Sequence, residues 1–176
     1  MKKISFFLLL LLLLFFHQLV IAGEDVSIED NIDNKYEFYY NKFHSYQIKF
    51  PHTWMLNENS VINDEEKSSI VIENPNCPLE FMGVGVIKLT ETSLSYQEAL
   101  DFFSNSFSQN DAEVISERDI KISNRMIREV VVKEHNCPKV YNYIFYEKGY
   151  AVGILICPSN DNFPFEKTIE SFKFVN

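Results

Sequence analysis

Glycine is scarce in this chain of 176 residues, with five in all. Two of them fall together as Gly83-Val84-Gly85, inside an apolar run. The third glycine of a G-x-G-x-x-G dinucleotide loop is missing, and neither a P-loop nor a G-x-S-x-G nucleophile elbow occurs. Positive charge is in deficit. Sixteen Lys and Arg stand against 25 Asp and Glu, a formal net charge of −9. That balance excludes nucleic acid and anionic membrane surfaces as partners recognised by charge alone. No apolar run reaches the roughly 20 residues of a membrane-crossing helix. The longest, Phe6 to Phe16, has eleven. No zinc-type Cys/His spacing and no His-x-x-x-His pair is present.

The N-terminus carries targeting information. Lys2 and Lys3 precede the Phe6–Phe16 run, and Val20-Ile21-Ala22 places modest or small side chains before a cleavage point after Ala22 or Gly23. These three parts make a secretory signal peptide over residues 1–22. The alternative is an uncleaved anchor, because Leu19 to Ala22 prolongs the hydrophobicity. Cleavage leaves 154 residues, a length that suits one domain. It removes two lysines and no acid, so the formal charge moves from −9 to −11. Residues 23–42 begin acidic and thinly apolar and read as a flexible lead-in. Within them, Tyr36 onward is dense enough in aromatics to pack as a short helix or strand. Residues 43–176 form the domain.

The domain is organised around Tyr46-Gln47-Ile48-Lys49-Phe50-Pro51-His52-Thr53-Trp54. Tyr46, Ile48 and Phe50 alternate with Gln47 and Lys49, the period of a half-buried strand. Pro51 has no amide donor and ends the ladder. Trp54, the only tryptophan, is placed to fold back over the strand end. Ser69–Glu73 and Leu79–Leu89 are expected strands around an Asn74–Pro78 turn. Gly83 and Gly85 share a face, which predicts close approach by a crossing helix. Ser95 and Glu98 make a capping box, Leu94 and Ala99 a hydrophobic staple, and Tyr96, Ala99, Leu100, Phe103 and Phe107 an apolar helical stripe. From Val114 the pattern is an antiparallel meander. Its turns are at Ser123-Asn124-Arg125, His135–Pro138 and Lys148-Gly149. Tyr150–Ile156, apolar on both faces, belongs in the sheet centre. Pro164 opens a last short helix with Phe165 and Ile169 inward, and Phe172 and Phe174 alternate as a terminal strand.

Three pieces together resemble the Mog1/PsbP superfamily, particularly small secreted bacterial PsbP-like domains. They are the Tyr46-x-Ile48-x-Phe50-Pro51-x-x-Trp54 opening, the Ser95-led helix, and the closing Phe165…Ile169-Glu170-Ser171-Phe172. The resemblance spans Phe43 to Phe174. It implies an α+β fold, an antiparallel β-sheet with helices packed on its faces as an α/β/α sandwich. It implies little about activity, since members include a photosystem II extrinsic subunit, a Ran-binding nuclear protein and secreted proteins of unknown role.

Export permits disulfides. With Lys148-Gly149 as a hairpin centre, Cys157 falls opposite about residue 140, and Cys137 lies in the turn at that sheet end. The expected disulfide is Cys137–Cys157, closing a loop of about 20 residues worth about 3 kcal/mol. The rival pairing joins Cys77 to either one. A His135/Cys137 nucleophile is outweighed by the structural reading of a Cys-Pro turn. His44, His52, His135 and Cys77 form no metal motif, and Asp64-Glu65-Glu66 lacks the alternating ligands of a calcium loop. Glu80, Glu98, Glu129 and Glu134 show no acid/base spacing. Tyr39, Tyr40, Tyr141 and Tyr143 are better candidates, as contact-surface residues.

No enzyme, cofactor or metal is therefore expected. The leading reading is a secreted or periplasmic accessory module that binds an unidentified protein through a sheet edge or a tyrosine-rich face, with no nucleic acid and, after cleavage, no membrane. The alternative is a small-ligand-binding or hydrolytic protein with a cleft between sheet and helix.

Overall fold

The computed structural model describes residues 35–77, 79–89, 100, 113–133, 137–158 and 163–175. β1 (Tyr36–Asn41) and β2 (Tyr46–Pro51) form a hairpin paired from Tyr36↔Pro51 to Asn41↔Tyr46. The alternation in β2 emerges as written: Tyr46, Ile48 and Phe50 are buried and Gln47 and Lys49 are half-buried. β11 (Lys173–Phe174) joins the other side of β2 and completes a three-stranded sheet, β1-β2-β11.

The second sheet has eight strands. They are β3 (Met55–Leu56), β4 (Ile62–Asn63), β5 (Lys67–Glu73), β6 (Phe81–Lys88), β7 (Glu113–Ile122), β8 (Arg125–Lys133), β9 (Val140–Glu147) and β10 (Tyr150–Cys157). The order is β3-β5-β6-β10-β9-β8-β7, with β4 also on β5. The pairings are antiparallel. Hairpins link β7 to β8 and β9 to β10, so the meander runs as the turn residues indicate. β10 lies between β6 and β9 with five of its eight residues buried. A strand apolar on both sides gains most where both its faces are covered.

The principal core fills the space between the two sheets. Tyr46, Ile48 and Phe50 meet Ile70, Ile72, Met82, Val84, Val152 and Ile154 there. Trp54 closes one end, 5% exposed, with its ring 5.3 Å from Phe163. The turn Trp54 N–H to Pro51 C=O at 2.9 Å places it there. Helix α1 (Phe165–Ser171) follows Pro164 and buries Thr168 and Ile169 in this core, with Phe172 fully buried just after it. Phe165 is only half-buried, packed against the core's rim.

A smaller core covers the opposite face of the large sheet and contains Val130, Val132, Val140, Ile144, Ala151 and Leu100. Of the expected apolar stripe, Leu100 alone is described, and it is 1% exposed. Ser95, Tyr96, Glu98, Ala99, Phe103 and Phe107 lie outside the described residues, as does Leu94. Among the described residues α1 is the one α-helix seen along its length, and the architecture is mostly antiparallel strand. Gly83 and Gly85 do share a face, yet the described residues do not crowd them. A Cβ at Gly85 would meet Gly153 O at 3.9 Å, and one at Gly83 would meet Leu155 Cβ at 3.8 Å, both ordinary contacts. The expected lead-in over 23–42 overlaps β1, six residues fully paired with β2.

Candidate functional site

Among the described residues β7 is the last strand of the large sheet and pairs on one side only, with β8. Its ten residues are the longest strand among the described residues, and the first seven are exposed. A register shift between Val114 and Ser116 leaves Ile115 as a bulge, and Val114 and Ile115 are 45% and 49% exposed. Bulges and charges on an outer strand restrain unwanted pairing without removing the free ladder groups.

Four of the five charges on β7, all but Lys121, are held from β8. On one face, Arg128 donates from Nε to Asp119 Oδ1 and from Nη1 to Glu117 Oε1, each at 2.6 Å. These bonds, that to Asp119 foremost, raise the guanidinium above its already high range. Lys133 reaches Glu113 at 3.2 Å. On the core-facing side, Arg118 donates from Nε to Glu129 Oε1 at 2.6 Å. Glu129 is 5% exposed, whereas the Arg118 side chain is 66% exposed. The register sets Glu129 between Arg118 on β7 and Tyr143 on β9. Tyr143 hydrogen-bonds to Glu129, and its phenol is pushed well above the ordinary tyrosine range, by burial first and then by the Glu129 charge. The signal for this pair was present in the sequence: Ile127, Glu129 and Val131 share one strand face, and the middle one is charged.

A second polar group joins the two sheets. Asn41 Nδ2 lies 2.7 Å from Asn63 Oδ1, 2.9 Å from Ser68 Oγ and 3.2 Å from Tyr39 Oη. Tyr46 Oη and Ser68 Oγ are 2.9 Å apart. His44, 6% exposed, donates its backbone N–H to Asn41 Oδ1 and its Nε2–H to the Asp64 carbonyl. Burial raises the Tyr46 and Tyr39 phenols. These bonds satisfy one another, which is the signature of a structural pin.

The other candidates disperse. Cys137 and Cys157 are joined as a disulfide with Cα atoms 6.4 Å apart, and Cys77 is free and half-buried. Glu98, Glu134 and His135 lie outside the described residues. His52 is exposed, and Asp64 spends Oδ1 on the backbone N–H groups of Glu66 and Lys67. Glu80 bonds Asn74. Among the described residues no three His, Cys, Asp or Glu side chains gather as a metal site. The tyrosines form no single contact face. Tyr39 and Tyr143 are core residues, 4% and 2% exposed. Tyr141 is half-buried with its ring centroid 4.5 Å from Phe165, and Tyr40 lies on the outer side of β1.

No family model matches the chain, and no curated protein matches it. Solved structures do. The solution structure of cyanobacterial PsbP (CyanoP) from Synechocystis sp. PCC 6803 aligns over 81% of this chain and 94% of its own, with TM-score 0.53 and 14% identity. The chain has a PsbP-like fold. A crystal structure from Bacteroides thetaiotaomicron aligns over 79% of this chain with TM-score 0.52 and 14% identity. This chain spans about half of that protein, 48%. At such identity the PsbP-like likeness concerns architecture, and function must come from the site.

Proposed function

We propose that this chain is an exported, non-enzymatic PsbP-like protein, a member of the Mog1/PsbP superfamily, that binds another protein as an accessory module along the free side of β7. The observation that carries this reading is a ten-residue outer strand, exposed over most of its length and, among the described residues, paired on one side only. An extended partner segment adds to such a strand through main-chain hydrogen bonds, with alternate side chains giving selectivity. Helices on both faces of the sheet belong to the superfamily reading, which the burial of Leu100 on the second face supports. Export is supported by Lys2, Lys3, the Phe6–Phe16 run and Val20-Ile21-Ala22, and by a disulfide of the kind that persists outside the cytosol. The mature protein is secreted or periplasmic and needs no cofactor.

Sequencing the mature N-terminus tests the export step, with a start after Ala22 or Gly23 expected and an intact Met1 contradicting it. Docking is tested by cross-linking the tagged full chain in the exported fraction, followed by hydrogen exchange of the captured complex. Slowed exchange along residues 113–122 is expected. Repeated failure to capture a protein, or protection confined to other strands, would overturn the reading.

A further inference from the structure

We propose that the free side of β7 pairs with β7 of a second copy of this chain, antiparallel across a two-fold axis through Ile120. The inference rests on the reading of β7 as a docking strand and names its occupant. In an antiparallel two-fold pair, residues equally spaced from the axis face each other on the same side of the sheet. With Ile120 opposite Ile120, Asp119 faces Lys121 of the second copy, twice by symmetry. Arg118 faces Ile122 and Glu117 faces Ser123. No like charges meet. Sliding the copies by two residues sets Asp119 against Asp119. Sliding by four sets Arg118 against Arg118. Like charges directly opposite are unfavourable, so the charge pattern selects one register.

The distribution of ion pairs within one chain supports this register. Glu113, Glu117, Arg118 and Asp119 already have partners on β8. Lys121 is exposed and has no ion-pair partner among the described residues. The second copy supplies one, and Arg128–Asp119–Lys121 becomes a row of alternating sign on one face. On the other face the half-buried Ile120 gains the same residue as neighbour. The paired segment runs from Arg118 to Ile122, so the turn at Ser123 sets the limit of the ladder and the bulge at Ile115 lies outside it. A ladder this short buries less than the roughly 1,600 Å² of a standard interface, so the pairing is a weak, concentration-dependent one.

The test uses two charge reversals in the full mature chain. Sedimentation equilibrium over a concentration series is expected to show the parent shifting from monomer towards dimer. Lys121→Glu alone and Asp119→Lys alone each turn two attractions into two repulsions, and each is expected to weaken dimerisation by about tenfold. Mixing the two variants restores both opposite-charge pairs, so the mixture is expected to dimerise as the parent does. Far-UV circular dichroism confirms that each variant is folded. Lys121→Gln, which removes the charge without reversing it, is expected to fall between parent and Lys121→Glu. A parent that stays monomeric, a dimer indifferent to Lys121→Glu, or a mixture no tighter than its components would overturn the proposal. The docking reading fails separately. If the parent is monomeric but residues 113–122 are protected by a captured protein, self-pairing falls and docking stands.

Discussion

Single side chains carry the clearest energetic consequences. Thr168 is fully buried and its Oγ1 has no hydrogen-bond partner among the described residues. An unpaired buried hydroxyl is a net cost, and Val has nearly the same shape. Thr168→Val is expected to stabilise the protein by about 1 kcal/mol, read from the urea midpoint. The Arg118–Glu129 pair is unequal. Removing Arg118 strands a buried carboxylate, whereas removing Glu129 leaves a guanidinium already two-thirds in water. Arg118→Ala is therefore expected to lower the midpoint more than Glu129→Gln does, and the reverse order would refute the buried-charge account. The phenols of Tyr39, Tyr46 and Tyr143 are raised. Up to about pH 10 they are protonated in both the folded and unfolded chain. Above it the unfolded chain ionises first, so stability falls as the pH climbs towards the folded values. Unfolding followed by phenolate absorbance is expected to show ionisation arriving together with loss of structure, not before it.

Turns decide how well the meander closes. Lys148 and Gly149 join β9 to β10 with φ of 52° and 84°. Two positive φ values match the right-handed twist of the flanking strands and suit glycine at the second position. Gly149→Ala is expected to cost about 1 kcal/mol in denaturant unfolding. Ser123, between β7 and β8, holds φ at 54° without being glycine. Ser123→Gly relieves that conformation and is expected to gain roughly 0.5–1 kcal/mol, leaving the Ile122↔Arg125 register in place. Both turns could be read from their residues, because the conformational limit is local. β3 and β4 could not: two residues have no period, and they are strands only because β5 runs beside them. The aromatics from Tyr36 onward fit a short helix or a strand equally, and β2 pairing along its length is what makes β1 a strand.

At the scale of the molecule, the disulfide ties the approach to β9 to the end of β10 across a separation of 20 residues. Reduction under native conditions is expected to lower unfolding free energy by about 3 kcal/mol while leaving the strand signal in place, because both core clusters persist without the bond. Peptide mapping should recover Cys77 unlinked. The inter-sheet pin was not legible in the chain order. Asn41 meets Asn63 and Ser68 across separations of 22 and 27 residues. Nothing local to Asn41 distinguishes it from a loop asparagine.

The amino-acid order alone determined the strands with a two-residue period, their hairpin turns and the expected partnership of Cys137 with Cys157, because each depends on neighbours or on one hairpin's register. The tertiary structure decided the division into two sheets, the burial of Glu129 beside an exposed arginine, and which strand stands last. Strand order is set by how faces of unequal polarity can be covered together. That is a property of the assembled layers, and it is what leaves one side of β7 without a partner strand among the described residues.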